Sequence, residues 1–137
     1  MTSSTTVRAA ALGIEIRSGA LRLALRPDLG GAIAGLWHHG VPVLRSQEPE
    51  RLMSWHDAAS FALVPYSNRI DQGRFDWHGR SYRLAPNFEA GPHPLHGVGH
   101  IGAWRVEPST GPSGPGEVTL VLEHRGDDGW PFDFEAR

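Results

Sequence analysis

The sequence predicts an all-β protein built from short antiparallel strands. Apolar and polar residues alternate in several short runs, which is the pattern of a strand with one buried face. The 137 residues include 17 glycines and 11 prolines, and these turn-forming residues separate the alternating runs. Runs with helical periodicity are scarce, and the chain has no internal repeat. Its length suits a single domain.

The alternation is clearest in the first third of the chain. Residues 1–10 are rich in Ser and Thr, and we expect them to form a disordered lead-in. The strands predicted after this lead-in span residues 13–17, 21–26, 32–37 and 41–44. Glycine-containing clusters lie between them, which predicts strands joined by tight turns.

The rest of the chain continues this pattern with longer irregular segments. Residues 45–60 are irregular, with one helical turn expected within residues 51–60. The further predicted strands span residues 61–64, 74–77, 81–84, 103–107, 117–124 and 130–137. The second and third of these form a hairpin. Residues 85–102 are expected to form a loop, and residues 111–116 a flexible surface loop.

Composition and charge exclude several classes of partner. The net charge is -2, with acidic and basic residues mixed along the chain, so there is no concentrated basic face for nucleic acid or an anionic membrane. No segment has the unbroken apolar length of a membrane span, and the N-terminus lacks the pattern of a secretory signal. The absence of cysteine excludes disulfides, thiol catalysis and cysteine–metal sites. We therefore expect a cytoplasmic location.

Two polar clusters within residues 61–104 carry most of the chemistry. The first is VPYSNRI at residues 64–70, and the second is HPLHG at residues 93–97. The aromatic residues around them are Tyr66, Phe75, Trp77 and Trp104. Such a surface suits a sugar, because aromatic faces cover the apolar face of a pyranose and polar groups bind its hydroxyls. It would also fit other small polar ligands. Aromatic residues are more often core, as we expect for Trp37 and Trp130.

His96, Arg69 and Asn68 are the candidate site residues in these clusters. A histidine can transfer protons near neutral pH, although residue type alone favours one that hydrogen-bonds a loop backbone. Arg69 offers a rigid fork of donors for two adjacent hydroxyls, or a partner for Asp71 or Asp76. Asn68 either contacts the substrate or stabilises its own turn.

A metal site is the alternative use of the histidines. His93, His96 and His100 have the spacing His-x2-His-x3-His, and three imidazoles on a β scaffold would suit zinc in a small metal-dependent β-barrel enzyme. The intervening proline and glycines predict a loop rather than a helix that would align the three rings. Apart from Glu89, no neighbouring acidic residue could orient them. We expect no metal and no other cofactor.

The two clusters belong to an ordered series that resembles a known family. The series is Asn68-Arg69, Gly73, Asn87, His96-Gly97, Trp104 and Trp130-Pro131. In this order it resembles the N-terminal half of the aldose 1-epimerase (galactose mutarotase) family over residues 13–137. The resemblance is closest to a bacterial branch with FALVPYSNRI and WPFDFEA segments. It implies an antiparallel β-sandwich that is part of the galactose mutarotase-like supersandwich.

The resemblance also implies a reaction and roles for residues. The reaction interconverts the α and β anomers of a hexose such as galactose or glucose by acid/base ring opening, without a cofactor. Asn68 and Arg69 would bind the sugar, and His96 would bind it near the ring oxygen and assist proton transfer. The family's second histidine and its catalytic glutamate lie beyond Arg137, and no residue here matches either motif. Residues 97–100 (GVGH) depart from the second glycine and downstream Arg-Gly of many members, so the preferred sugar stays open.

The last residues bear on how much of such a domain is present. Residues 130–137 predict the start of a strand with Phe132, Phe134 and Ala136 on one face, and the sequence stops inside that pattern. We therefore expect residues 11–137 to be the N-terminal half of a truncated mutarotase-like domain. Exposed sheet edges would favour self-association. The competing function is a non-catalytic carbohydrate-binding module or an inactive remnant.

Overall fold

The computed structural model describes residues 5–88, 91–107 and 116–137. The strands among them are β1 (Thr5–Ala10), β2 (Gly13–Ser18), β3 (Leu21–Arg26), β4 (Ala32–His38), β5 (Val41–Pro42), β6 (Arg74–Trp77), β7 (Arg80–Arg83), β8 (Arg105–Glu107), β9 (Thr119–His124) and β10 (Phe134–Ala136). The pairings between these strands are antiparallel, which confirms the predicted all-β class. Short 3-10 helices occur at Pro49–Arg51, Trp55–Asp57 and Asp71–Gly73. Within the described ranges, no helix has the length and apolar character needed to cross a bilayer.

The first five strands form one sheet in sequence order. The predicted strands β2, β3 and β4 are confirmed, but the core packs on the face of β3 that carries Ala24 and not on the face of its alternating leucines. There Ala24, Ala32 and Ala34 are fully buried. Leu52 and Ala58, from the segment after β5, pack on these alanines. Small side chains in the sheet leave room for that segment to lie close to it.

Buried Arg26 fastens the same segment to the sheet. Its guanidinium donates hydrogen bonds to the carbonyls of Pro49 (2.6 Å) and Leu52 (2.9 Å). It also donates to both carboxylate oxygens of Asp28, at 2.8 and 2.7 Å. A buried cation needs such partners, because an unpaired charge inside a protein is costly. Arg26 therefore fixes the chain shortly before Trp55, which lies near the site described below.

The expectation of a disordered lead-in is wrong for residues 5–10. These residues are β1, and they pair with β2 over their whole length, from Thr5 opposite Ser18 to Ala10 opposite Gly13. Most β1 side chains are exposed, so the strand is held by backbone hydrogen bonds rather than by a buried face. That explains why its sequence lacks an apolar alternation. Residues 1–4 lie outside the described residues.

Several predicted strands are shorter than expected, and one is absent. The strands predicted at 103–107, 117–124 and 130–137 are reduced to β8, β9 and β10. Of residues 41–44, only Val41–Pro42 pairs with β4. Residues 61–64 do not form a strand. This segment is held at its two ends by different partners, since Ser60 bridges to Ile33 and Val64 bridges to Gly97. A continuous ladder with one neighbour therefore does not form.

The remaining strands form a two-stranded and a three-stranded sheet. The predicted hairpin is β6–β7, closed by His78 and Gly79 with φ of 48° and 73°, as two-residue hairpin turns require. Strand β9 lies between β8 and β10. Phe75 of β6 stacks on Trp130 with ring centroids 5.5 Å apart, which joins the hairpin to the segment before β10. The loop expected at 111–116 falls almost wholly outside the described residues.

Candidate functional site

The two polar clusters of the sequence lie side by side in the fold. Residues 64–73 and 93–100, here called the first and second site loops, are joined by bridges from Val64 to Gly97 and from Arg69 to Leu95. The carbonyl of Val64 accepts hydrogen bonds from the amides of Val98 (2.9 Å) and Gly99 (3.0 Å). These backbone contacts bring Asn68 and Arg69 next to His96, as the sequence analysis grouped them.

Asn68 and His96 are hydrogen-bonded to each other twice. The backbone amide of Asn68 donates to Nδ1 of His96 at 2.8 Å, and the backbone amide of His96 donates to the backbone carbonyl of Asn68 at 2.9 Å. Both residues have positive φ, 68° and 59° respectively. Because Nδ1 is an acceptor here, the neutral ring carries its proton on Nε2. His96 therefore presents an N–H donor on the side of the ring away from Asn68.

The pKa of His96 is lowered from its usual value. Burial disfavours the charged ring, and the positive charge of Arg69 adds a smaller effect in the same direction. His96 is half-buried, so part of its ring is accessible. The ring is therefore neutral at pH 7, in a state that donates through Nε2 without carrying a charge.

Arg69 is held by its backbone, while its side chain is available. Among the residues that the structure describes, its guanidinium makes no hydrogen bond or ion pair, and the residue is exposed. The two carboxylates considered as partners are engaged elsewhere: Asp71 lies 3.4 Å from His93, and Asp76 accepts a hydrogen bond from Ser81 at 2.5 Å. Asn68 uses its side-chain oxygen to accept the Arg69 amide at 3.0 Å, which is the turn-stabilising role.

Asn87 is a residue of the site to which the sequence analysis gave no role. Its amide nitrogen donates to the carbonyls of Leu95 (2.9 Å) and Gly97 (2.8 Å), and its oxygen accepts the Leu95 amide at 2.7 Å. It thereby grips the second site loop on both sides of His96. The only signal for it in the sequence is its place in the ordered motif series.

The aromatic residues beside His96 differ from those expected. Phe61 has its ring centroid 6.1 Å from that of His96, and Trp55 packs on Phe61 at 4.7 Å. Trp104 is buried and donates its indole N–H to the Gly99 carbonyl at 2.8 Å, so it belongs to the core. Trp77 lies exposed at the tip of the β6–β7 hairpin.

The other two expected aromatic residues pack away from the histidine. Tyr66 lies against Trp130, with ring centroids 5.6 Å apart, and Phe75 stacks on the same indole. Trp130 is half-buried in this aromatic cluster, whereas Trp37 is buried in the core of the first sheet. The expected platform of Tyr66, Phe75, Trp77 and Trp104 is therefore not assembled around His96.

His100 lies fully buried behind the site. Its ring is 6.0 Å from that of His96 and 4.3 Å from that of Trp55. Neither ring nitrogen has a hydrogen bond within the described part of the chain. Burial lowers the pKa of His100 to about 4; the nearby backbone of His96 opposes the shift, although no contact between them has hydrogen-bond geometry.

The three histidines do not assemble into a metal site in this arrangement. His93 uses Nδ1 to accept the Gln72 amide at 3.0 Å, and His96 uses Nδ1 to accept the Asn68 amide. Among the described residues, no group of three histidine or acidic side chains could hold a metal ion. The described geometry thus supports hydrogen-bonding roles for the rings of His93 and His96.

Comparison with known proteins matches the profile of the aldose 1-epimerase family to residues 13–137. The chain belongs to the aldose 1-epimerase family. An uncharacterized protein of Escherichia coli K12, YphB, is 40% identical over 107 residues. Those residues are 78% of this chain and 34% of YphB.

Solved structures show the same fold. A protein of E. coli K12, provisionally named an aldose 1-epimerase, is 34% identical with a TM-score of 0.67, covering 90% of this chain and 38% of its own. The galactose 1-epimerase of Lactobacillus acidophilus NCFM has a TM-score of 0.69 at 15% identity, covering 98% of this chain and 43% of its own. The predicted galactose mutarotase-like fold is confirmed.

The family is established, but the chain spans only part of the length of its relatives. The chain spans 34% of the length of YphB and 38% and 43% of the two solved structures. The structure brings Asn68, Arg69 and His96 together, as the resemblance implies. Their roles toward a sugar remain predictions.

Proposed function

We propose that this chain forms the sugar-orienting part of an aldose 1-epimerase site. The observation that carries the proposal is the reciprocal hydrogen bonding of Asn68 and His96, which leaves a neutral Nε2–H donor close enough to Arg69 to feel its charge. Within the described part of the chain, the Arg69 guanidinium has no partner. Such a pair of donors matches a hexose, whose ring oxygen and hydroxyls are hydrogen-bond acceptors.

Mutarotation shows what the Nε2–H group would do. A base removes the proton of the anomeric hydroxyl, the bond between C1 and the ring oxygen breaks, and an acid protonates that oxygen. The open aldehyde rotates about C1–C2 and recloses by the reverse proton transfers. His96 donates a hydrogen bond from Nε2–H to the ring oxygen, which stabilises the negative charge that develops there and so assists protonation of this oxygen by the acid. Arg69 binds adjacent hydroxyls and holds the ring in register with His96.

The remaining proton-transfer groups of the reaction are assigned by resemblance alone. The second histidine and the catalytic glutamate of the family have no counterpart in these 137 residues. A non-catalytic carbohydrate-binding module is therefore the second candidate function. D-galactose and D-glucose as ligands, location in the cytoplasm and self-association through sheet edges belong to the proposal as predictions.

Two experiments with the 137-residue chain test these functions. Methyl β-D-galactopyranoside and methyl β-D-glucopyranoside cannot change anomer, so NMR titration with them measures binding alone. Shifts at Asn68, Arg69 and His96 that His96→Ala removes support the sugar site. A folded chain that responds to neither glycoside at the highest soluble concentrations overturns it.

Polarimetry then separates enzyme from binding module. Fresh α-D-glucose and α-D-galactose are followed with the wild-type chain, with His96→Ala and with buffer. Acceleration that His96→Ala abolishes shows that the chain catalyses mutarotation. Binding without acceleration shows that it carries only the recognition part of the site.

A further inference from the structure

The Asn87 side chain forms hydrogen bonds with the backbone of the second site loop at residues 95 and 97, as a neighbouring β-strand would. Its side chain makes three hydrogen bonds, and all three go to the residues on either side of His96. The distances are 2.9 Å to the Leu95 carbonyl, 2.8 Å to the Gly97 carbonyl and 2.7 Å from the Leu95 amide. No atom of His96 takes part. Asn87 therefore acts on the path of the backbone through His96 rather than on the ring.

That path is one that a histidine does not adopt freely. His96 has φ of 59°, a left-handed conformation that costs an L-residue about 1 kcal/mol or more. This conformation directs the His96 amide toward the Asn68 carbonyl and lets Nδ1 reach the Asn68 amide. The contact that locates the ring proton thus depends on a strained backbone that some other group must hold.

Close packing against the first site loop also restrains the second site loop. Gly97 has φ of 70°, and a Cβ at this position would lie 2.2 Å from the Val64 carbonyl oxygen. The first site loop therefore blocks movement of Gly97 in one direction. Asn87 supplies further hydrogen bonds that hold Leu95 and Gly97 in place.

We infer that Asn87 is a positioning residue that holds His96 with Nδ1 on the Asn68 amide and so keeps the ring proton on Nε2. It contacts the loop and not the sugar. The benefit to sugar chemistry rests on the proposed function, whereas the effect on the tautomer does not. This role was not predicted from the sequence because Asn87 and Leu95 are eight positions apart in an irregular segment, so no local pattern indicates their contact.

The test reads the His96 ring in the 137-residue chain by nitrogen-15 NMR, which distinguishes Nδ1–H from Nε2–H tautomers. Asn87→Ala is expected to convert the single Nε2–H form of His96 into a mixture of tautomers. Exchange of the Asn68 backbone amide with solvent is expected to become roughly tenfold faster or more, which corresponds to the net contribution of one hydrogen bond. The ring of His124, which contacts the Trp130 carbonyl at 2.8 Å, reports on the rest of the fold and should not change.

Two further variants sharpen the result. Asn87→Asp has the same shape and still accepts the Leu95 amide, but it turns an oxygen toward the carbonyls of Leu95 and Gly97. Its effect on His96 should be at least as large as that of Asn87→Ala. Gln47→Ala is the matched control, because it removes another side-chain amide that donates to a backbone carbonyl, that of Asp57 at 3.2 Å. It should leave the His96 tautomer unchanged.

A folded Asn87→Ala chain with a lower Tm but an unchanged His96 tautomer and Asn68 exchange rate would overturn the inference, since Asn87 would then be only structural. If the variants do not fold, hydrogen exchange in the wild-type chain decides. If Asn87 holds the loop, each breaking of its side-chain hydrogen bonds also releases the Asn68 backbone amide. The Asn68 backbone amide should then exchange at least as fast as the Asn87 side-chain NH₂ group, and slower exchange of the Asn68 backbone amide contradicts the inference. Absence of sugar binding by the wild type, with the tautomer change present, would overturn the proposed function alone.

Discussion

The backbone amide of Asn68 donates to Nδ1 of His96, and the backbone amide of His96 donates to the carbonyl of Asn68. The two residues lie 28 positions apart, and both are left-handed. Their mutual contact orients the imidazole and decides which nitrogen carries the proton. It connects an irregular backbone to the chemistry of the candidate site, and it makes the site sensitive to changes in either loop.

Arg69→Gln should weaken sugar binding by roughly ten- to a hundredfold, the range expected for hydrogen bonds from a charged group. The wild-type guanidinium has no partner among the described residues, so its loss removes ligand contacts rather than structural ones. Titration with a methyl galactoside measures the effect. Arg74→Gln, an exposed position on β6, is the matched control and should bind as the wild type does. Equal losses in both variants would show that the charge acts only at a distance.

The titration of His96 should have its midpoint below pH 6.5. Burial and the Arg69 charge lower its pKa, so the neutral Nε2–H form persists to lower pH than in a free histidine. Protonation turns Nδ1 into a donor and breaks the contact with the Asn68 amide. Sugar binding should therefore be lost as pH falls through this midpoint. NMR of the ring against pH measures it, and Arg69→Gln should move it part of the way back. A midpoint at or above 6.5 would contradict this assignment.

His100 should make the fold less stable in acid. Its pKa is about 4 when buried and near 6.5 when the chain is unfolded, so protons bind more tightly to the unfolded chain. The contribution of His100 to the free energy of unfolding is therefore fully present above about pH 6.5 and is lost progressively as the pH drops toward 4. The contribution of this group at pH 5 is a loss of about 2 kcal/mol in the free energy of unfolding.

Denaturant unfolding at pH 7 and pH 5 measures that loss. His100→Phe keeps a ring against Trp55 and removes this titrating group, so it should reduce the loss of stability between pH 7 and pH 5. His38→Phe, at an exposed position, is the control and should retain it. An unchanged dependence in His100→Phe would place the acid sensitivity elsewhere.

Much of the fold could be predicted from the sequence, for a physical reason. Strands β2 and β3 carry alternating apolar and polar residues, and β4 is a short apolar run between glycine turns, so all three can be recognised. The alternation does not give the core face of β3, because the core packs on Ala24 and not on the alternating leucines. Strand β1 pairs through its backbone and exposes most of its side chains, which leaves no such pattern. The segment at 61–64 is apolar but is held only by single bridges at its ends. Its composition does not distinguish such a segment from a strand in a continuous ladder.

The site could be predicted only in part. Asn68, Arg69 and His96 were found because they occur in an ordered motif. The aromatic neighbours were missed, since Trp55 and Phe61 come from an irregular segment without periodicity. Of the two roles that the sequence left open for Trp104, sugar platform or core, the structure shows the core. The tautomer of His96 depends on a long-range backbone contact, which no local pattern encodes.

Gly97→Ala should destabilise the chain by at least about 2 kcal/mol. Gly97 has φ of 70°, and an added Cβ would meet the Val64 carbonyl oxygen at 2.2 Å. Gly40→Ala is the matched control, since φ is 79° there and no atom lies within 4 Å of the new Cβ. It should cost only the left-handed backbone, about 1 kcal/mol. Urea unfolding compares the two, and equal losses would mean that the loops can separate without cost.

The most direct measurement of the central claim is the nitrogen-15 NMR spectrum of the His96 ring in the 137-residue chain, recorded while methyl β-D-galactopyranoside is added. The account predicts a single neutral ring with its proton on Nε2 at pH 7, and a shift of that Nε2–H signal as the sugar binds, while the ring of His124 stays constant. A ring protonated on Nδ1, or an Nε2–H signal that no sugar moves, would contradict it.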